Sequence, residues 1–433
     1  MKKSIMPYIL NCISSNQLRD AKRKFSVSKR TVLRKQPTLV VFLKADDPYS
    51  YLLVQALKGF DSRFKVSLQY HVFQNVDPEM YPRLDMWREY AKHDAYCLAN
   101  LYGYRFPEKG HIPIHNEQSA NQLALSLATI ESDDDFLIKA NKLFAQYWFS
   151  ADVLGTSVGD AKQAQLKLMK NQLLLSKKGH YFGATIYYEG EWYWGIDRLD
   201  HLEQRLIELS LSVKKDEHVF FNKTYEGFCQ TPISSIHQAS KKKSLTLYWS
   251  ARSPYSYIGL ERSVQLAKHY NLPLEIKPVL PMMMRGMNVP DTKKMYIFLD
   301  TKREANKFAI PYGKVADPLG AAVERCYALV EYARSQNKLH DFLLSFARGV
   351  NAEGIRAETD RGMKKIVSRC GLDWATAKLK LNDQSWRDEV HKNLDDMLAA
   401  GCWGVPSICY HNMHFWGQDR LGLIEKYIRE ELR

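Results

Sequence analysis

Leu245-Thr-Leu-Tyr-Trp-Ser-Ala-Arg-Ser253-Pro254-Tyr255-Ser256-Tyr257 decides how this chain is read. An apolar, aromatic run gives way to polar residues. Ser-Pro follows, then helical spacing through Ile258, Leu260, Val264 and Leu266. The pattern predicts strand, turn, helix. Ser253 stands just ahead of the first helical turn and Pro254 inside it, where a missing N–H costs nothing. Free N–H groups and the positive end of the helix dipole make such a start an anion site. Many buried strands also end this way for purely structural reasons.

The stretch has an echo. Leu39-Val-Val-Phe-Leu-Lys-Ala-Asp-Asp47-Pro48-Tyr49-Ser50-Tyr51 follows the same plan. A second motif recurs as well. Gly404-Val405-Pro406, followed after a predicted hairpin by Trp416-Gly-Gln418-Asp419-Arg420-Leu421, is answered by Gly183-Ala-Thr, a hairpin and Trp194-Gly-Ile-Asp197-Arg198-Leu199. Pro48 and Pro254 are 206 residues apart, and Trp194 and Trp416 are 222 apart. So long a period implies duplicated domains rather than a solenoid.

Strand, Ser-Pro-Tyr-Ser helix start, helical middle, Gly-Val-Pro, hairpin and Trp-Gly-Gln-Asp-Arg-Leu together resemble the DsbA-like thioredoxin superfamily. Within it they look most like the branch of 2-hydroxychromene-2-carboxylate isomerase and kappa-class glutathione transferase. The resemblance spans nearly all of residues 244–433 and, more weakly, 37–211. It implies an α/β chain of two tandem thioredoxin-like domains of DsbA/kappa type, each with a helical insertion. The expected organisation is a basic N-terminal extension (1–36), a degenerate domain (37–211), a linker (212–243) and a domain with the active site (244–433). The first domain is expected to act as an in-chain dimer partner, with further oligomers left open.

The thiol–disulfide branch places C-x-x-C where this chain has Ser253-Pro-Tyr-Ser256 and Asp47-Pro-Tyr-Ser50. Disulfide exchange needs a thiolate, so dithiol chemistry by that route is argued against. A serine there fits a borrowed thiol. The resemblance implies that glutathione brings the sulfur and that Ser253 donates to it. It implies that Val405 and a cis Pro406 meet the cysteinyl backbone. Asp419 lies where the γ-glutamyl end is held, with Gln418 and Asn288 close to further contact positions. Tyr255, Met282, Met283 and Trp416 are the expected substrate wall. Each residue has a structural alternative. Ser253 and Asp419 can serve only as helix caps, the methionines as adaptable packing, and Trp416 as core. In the first half Asp47 would repel a thiolate, and the proline is gone.

Bulk properties bound the rest. At 433 residues, 45% hydrophobic and 25% charged, the chain is an ordinary globular protein of two or three domains. No apolar run reaches the roughly 18 residues of a membrane span, and a cytoplasmic location is expected. The net charge is +14, of which residues 1–36 carry +9. Basicity lying mostly in a tail argues against nucleic acid as the main partner. The cysteine count is odd, at seven, and no C-x-x-C occurs, which opposes both a disulfide framework and a zinc ribbon. His111-Ile-Pro-Ile-His115 lacks a third ligand and has Pro113 inside it, so no metal is expected.

The expected function is a glutathione-dependent isomerase or transferase acting on an aromatic or polyketide-like small molecule. The alternatives are a non-catalytic thioredoxin-fold binding or scaffold protein and, with less support, a DsbA-type oxidoreductase.

Overall fold

The computed structural model describes residues 2–150, 160–230 and 243–431. The chain divides into two compact units, Asp20–Thr224 and Met1–Arg19 with Tyr225–Arg433.

In the first unit, β1 (Thr38–Lys44) reads as an unbroken apolar run because it is a central strand, paired on both sides. It lies parallel to β2 (Ser67–Phe73) and antiparallel to β3 (Thr185–Tyr188), which turns through Glu189-Gly190 into β4 (Glu191–Trp194). The sheet order is β2-β1-β3-β4. The crossover from β1 to β2 carries the Pro48–Leu57 helix. Between β2 and β3 stand four long helices, Leu84–Tyr102, Glu117–Thr129, Phe136–Phe149 and Ala161–Lys177.

The second unit repeats this plan with β5 (Leu245–Trp249), β6 (Leu274–Pro278), β7 (Ser407–Tyr410) and β8 (Met413–Trp416), in the order β6-β5-β7-β8. Parallel and antiparallel pairings follow the same sequence. The crossover helix is longer, Pro254–Tyr270, and ends at Asn271 in the left-handed conformation. A helical insertion again separates the second and third strands.

A shared side-chain tie fixes the register between the two units. Tyr49 donates to Asp94 at 2.7 Å, and Tyr255 donates to Asp300 at 2.6 Å, each across 45 residues. Both carboxylates are 1–2% exposed. Each tie joins the crossover helix to the first long helix of the insertion.

Two segments differ from their expected form. The N-terminal stretch predicts one short helix near Asn16–Lys24, but it forms two, Lys2–Ile13 and Asn16–Val32. Pro7 sits inside the first and is buried against its own unit. A Cβ on Gly354 would lie 3.0 Å from it. The second helix is not a free basic tail: Arg23 grips Glu191 at 2.6 and 2.8 Å, and Arg30 binds Glu189 at 2.7 Å. The expected linker is also partly packed. Glu203 accepts from the backbone N–H groups of Phe220 and Phe221 in the first unit. In the second unit the Cys229 N–H donates to Glu425 at 2.8 Å. The rest of the linker, residues 231–242, lies outside the described residues.

Candidate functional site

Ser253 has extended backbone angles and caps the Pro254–Tyr270 helix, accepting from the Ser256 N–H at 3.2 Å. Its hydroxyl donates in turn to the Val405 carbonyl at 3.3 Å. The Val405–Pro406 bond is cis. The helix start and the proline turn meet closely because Gly259 has no side chain: a Cβ there would stand 3.2 Å from the Pro406 ring. Ser253, Val405 and Asp419 are all half-buried. The sequence thus places a hydroxyl, a backbone carbonyl and a helix N-terminus at one surface.

Gly404 is required for a similar reason. A Cβ would come within 2.7 Å of the Trp416 indole nitrogen. Trp416 also packs on Trp403, centroids 5.1 Å apart, so two half-buried indoles flank Val405. Trp403 was not singled out from the sequence. Its place three residues ahead of the proline is the signal that marks it.

Other predicted residues are placed differently. The Tyr255 hydroxyl is spent on Asp300, which Arg303 also binds, so it ties two helices together. Gln418 is turned inward and 1% exposed. Its amide nitrogen donates to Glu304 at 3.0 Å and to Asp419 at 2.6 Å, while its oxygen accepts from Arg262. Gln418 therefore supports the turn rather than facing a ligand. Asn288 is exposed on the loop before the Asp291–Lys307 helix. Met282 and Met283 lie on a 3-10 turn, Met282–Arg285, half-buried, with the Met283 sulfur accepting from Arg252 at 3.1 Å. Arg252 also clamps Asp317 at 2.7 and 2.8 Å.

A cavity of about 260 Å³ lies beside this methionine turn, lined by Leu280, Met284, Arg285, Val390, His391 and Leu394. Neither it nor a second cavity of about 700 Å³ along β6 is lined by Ser253, Val405 or Asp419. Two half-buried indoles, Trp403 and Trp416, stand beside the proline turn of the helix-start site.

Titratable groups nearby follow burial. Lys293 is desolvated, which lowers its amine to about 8. Burial raises Cys402 to about 11 and Cys409 to about 12, so neither is a ready thiolate. All seven cysteines are free thiols. Among the described residues no group of metal-ligating side chains is assembled.

The corresponding place in the first unit is buried. Asp47 caps its helix, accepting from Ser50 N–H at 3.0 Å and Ser50 Oγ at 2.8 Å. Burial pushes its carboxyl up, opposed by Lys44, whose own amine desolvation lowers to about 8. Gly183 presses on both: a Cβ would lie 2.7 Å from Lys44 Cβ and 3.0 Å from the Asp47 carboxylate. Trp87 stacks on Phe182 at 5.7 Å and Phe182 on Trp194 at 4.8 Å, with Tyr81 edge-on to Trp87. All four rings are less than a tenth exposed. Trp87 and Trp194 also meet the Tyr49 ring, so the helix start of this unit borders a buried aromatic cluster.

Comparison with known proteins agrees with the second unit's architecture. Residues 244–429 match the profile of the DsbA-like thioredoxin domain. A 2-hydroxychromene-2-carboxylate isomerase from Sphingobium xenophagum is 23% identical over 194 residues, covering 43% of this chain and 98% of that isomerase. A solved 2-hydroxychromene-2-carboxylate isomerase is 20% identical, with 43% of this chain and 95% of that one covered and a TM-score of 0.38. A probable DsbA oxidoreductase from Streptomyces coelicolor is 15% identical, covering 44% and 89%, with a TM-score of 0.35. The profile stops short of the first unit, and residues 244–429 are a DsbA-like thioredoxin domain.

Proposed function

We propose that the second unit is a glutathione-dependent isomerase or transferase acting on a small, electron-poor aromatic or polyketide-like compound. The observation that carries this reading is the Ser253 hydroxyl 3.3 Å from the Val405 carbonyl, at a helix start that lacks cysteine. The donor set suits a cysteinyl peptide: a hydroxyl for sulfur, a half-buried backbone turn at Val405 for the peptide, a carboxylate for an ammonium. When bound, glutathione supplies a nucleophilic sulfur that the chain itself does not have.

The chain's own residues then hold and polarise. Ser253 turns its proton from Val405 to the sulfur. The helix N-terminus favours the anionic form. Val405 pairs with the peptide backbone, and Asp419 accepts from the γ-glutamyl ammonium. Trp403 and Trp416 offer an apolar flank for a flat substrate. Similarity to the isomerase supports isomerisation over conjugation.

Calorimetric titration of the full chain with reduced glutathione tests this. Saturable binding, weakened about tenfold or more in Asp419→Ala, is expected; an absence of heat in the wild type would sink the reading.

A second reading concerns the first unit alone. We propose that the two units arose by duplication and that the first is a non-catalytic scaffold. The burial of Asp47 beside an aromatic cluster favours this.

A further inference from the structure

We infer that Arg262, Glu304 and Gln418 are positioning residues, a buried device that fixes the Asp419 carboxylate for ligand capture and that the fold itself does not require. The inference rests on the thiol-binding reading above.

The geometry is a relay. Arg262 Nη1 donates to the Gln418 carbonyl at 2.8 Å and to its side-chain oxygen at 2.5 Å. The Gln418 amide nitrogen then donates to Glu304 and, at 2.6 Å, to Asp419 Oδ1. Arg262, Gln418 and Glu304 are 2%, 1% and 0% exposed. Phe308 and Phe228 lie over the guanidinium at 3.9 and 4.6 Å, and Lys307 balances Glu304 at 2.9 Å. The last member, Asp419, is half-buried and reaches the surface.

As a stabilising element the arrangement is poor. Two guanidinium nitrogens of Arg262, Nε and Nη2, are buried without a hydrogen-bond partner. Such groups carry their full desolvation cost, and well-packed apolar residues in their place are often neutral or stabilising.

The chain contains that apolar version. The Tyr49–Asp94 and Tyr255–Asp300 ties set the helix register, so Arg262 corresponds to Ala56 and Glu304 to Leu98. The tryptophans at 194 and 416 set the turn, so Gln418 corresponds to Ile196. Ala56, Leu98 and Ile196 are 7%, 0% and 2% exposed. The same fold therefore closes over an apolar trio. In that unit Asp197, the counterpart of Asp419, is itself only 5% exposed. The polar relay accompanies the one carboxylate that solvent can reach.

The test transplants the first unit's trio into the full chain as Arg262→Ala, Glu304→Leu and Gln418→Ile together. Melting temperature and glutathione affinity are both measured, alongside wild type, Asp419→Ala and the quadruple combination. The expected result is a melting temperature equal to or above wild type, with glutathione affinity weaker by about tenfold or more, the scale of a lost hydrogen bond to a charged group. Adding Asp419→Ala to the trio should weaken binding little further. Wild-type affinity in the triple variant overturns the inference while leaving the thiol reading intact. A triple variant that does not fold overturns the statement that the fold can do without the relay. Gln418→Met then removes the donor to Asp419 without adding a charge beside Glu304 and Asp419; unchanged affinity there overturns the relay. A wild-type chain that takes up no glutathione removes the thiol reading and this inference with it.

Discussion

Ser253 and Val405, 152 residues apart, are joined by a 3.3 Å hydrogen bond from hydroxyl to carbonyl. The same oxygen caps a helix by accepting from Ser256. One side chain thus serves both the helix and the surface beside it, and substitutions there separate the two roles.

Ser253→Ala should destabilise the second unit by about 1 kcal/mol through loss of the cap. Ser253→Cys should do something else. A thiol at a helix N-terminus ionises below the usual cysteine value of about 8.5. Rates of iodoacetamide alkylation against pH will read this directly. An alkylation midpoint at or above the ordinary cysteine value would show that the helix start does not favour anions.

Gly404→Ala should cost about 1–3 kcal/mol, the usual range for overpacking. Its Cβ would stand 2.7 Å from the Trp416 indole nitrogen, so the indole must shift from Trp403. Denaturant melts report the stability change, and near-UV circular dichroism reports the indole pair. A wild-type spectrum with unchanged stability would contradict the packing described.

Restoring a serine in the first unit by Asp47→Ser should not create a second glutathione site. Residue 47 stays buried beside the Trp87, Phe182, Trp194 and Tyr81 rings. Calorimetric stoichiometry should remain one per chain. Trp87→Ala should cost about 3–5 kcal/mol, as for other buried aromatic truncations; a small change would mean that the cluster is loosely packed.

Lys293 gives a pH signature. Burial lowers its amine from 10.5 to about 8 in the folded chain. Below about 8 both folded and unfolded chains hold the proton, and this residue's contribution to folding is at its least favourable. Between about 8 and 10.5 the unfolded chain binds more proton, so this residue makes stability rise with pH. Lys293→Met should therefore stabilise at neutral pH and flatten that rise. Parallel urea melts at pH 7 and 9.5 compare the two proteins, and equal pH slopes would refute the burial.

Much of the chain was legible without coordinates, where the signal was local. Helical spacing predicts a helix over Leu84–Tyr102, and strand patterning about Glu189-Gly190 predicts a hairpin; both form, as Leu84–Tyr102 and Thr185–Tyr188/Glu191–Trp194. A helix period or a Glu-Gly turn is set by neighbours a few residues away. Ser253 ahead of Pro254 read as a cap for the same reason. The meeting of helix start and proline turn was expected from the family resemblance, because no local signal joins residues 152 positions apart.

Other features were decided by partners far along the chain. Pro7 within Lys2–Ile13 argues locally against a helix, yet burial in its own unit holds it there. Gln418 reads as a surface polar residue beside Asp419, and only Arg262 and Glu304, more than a hundred residues away, turn it inward. Phe182 and Trp87, 95 residues apart, look like ordinary core residues until the fold stacks them on one another. Sequence by itself determined the backbone menu, the recurring motifs and the missing cysteine, because these depend on short-range sterics and residue identity. Tertiary structure alone decided that Asp419 stays half-exposed while Asp47 and Asp197 are buried, because burial is a property of distant surfaces brought together.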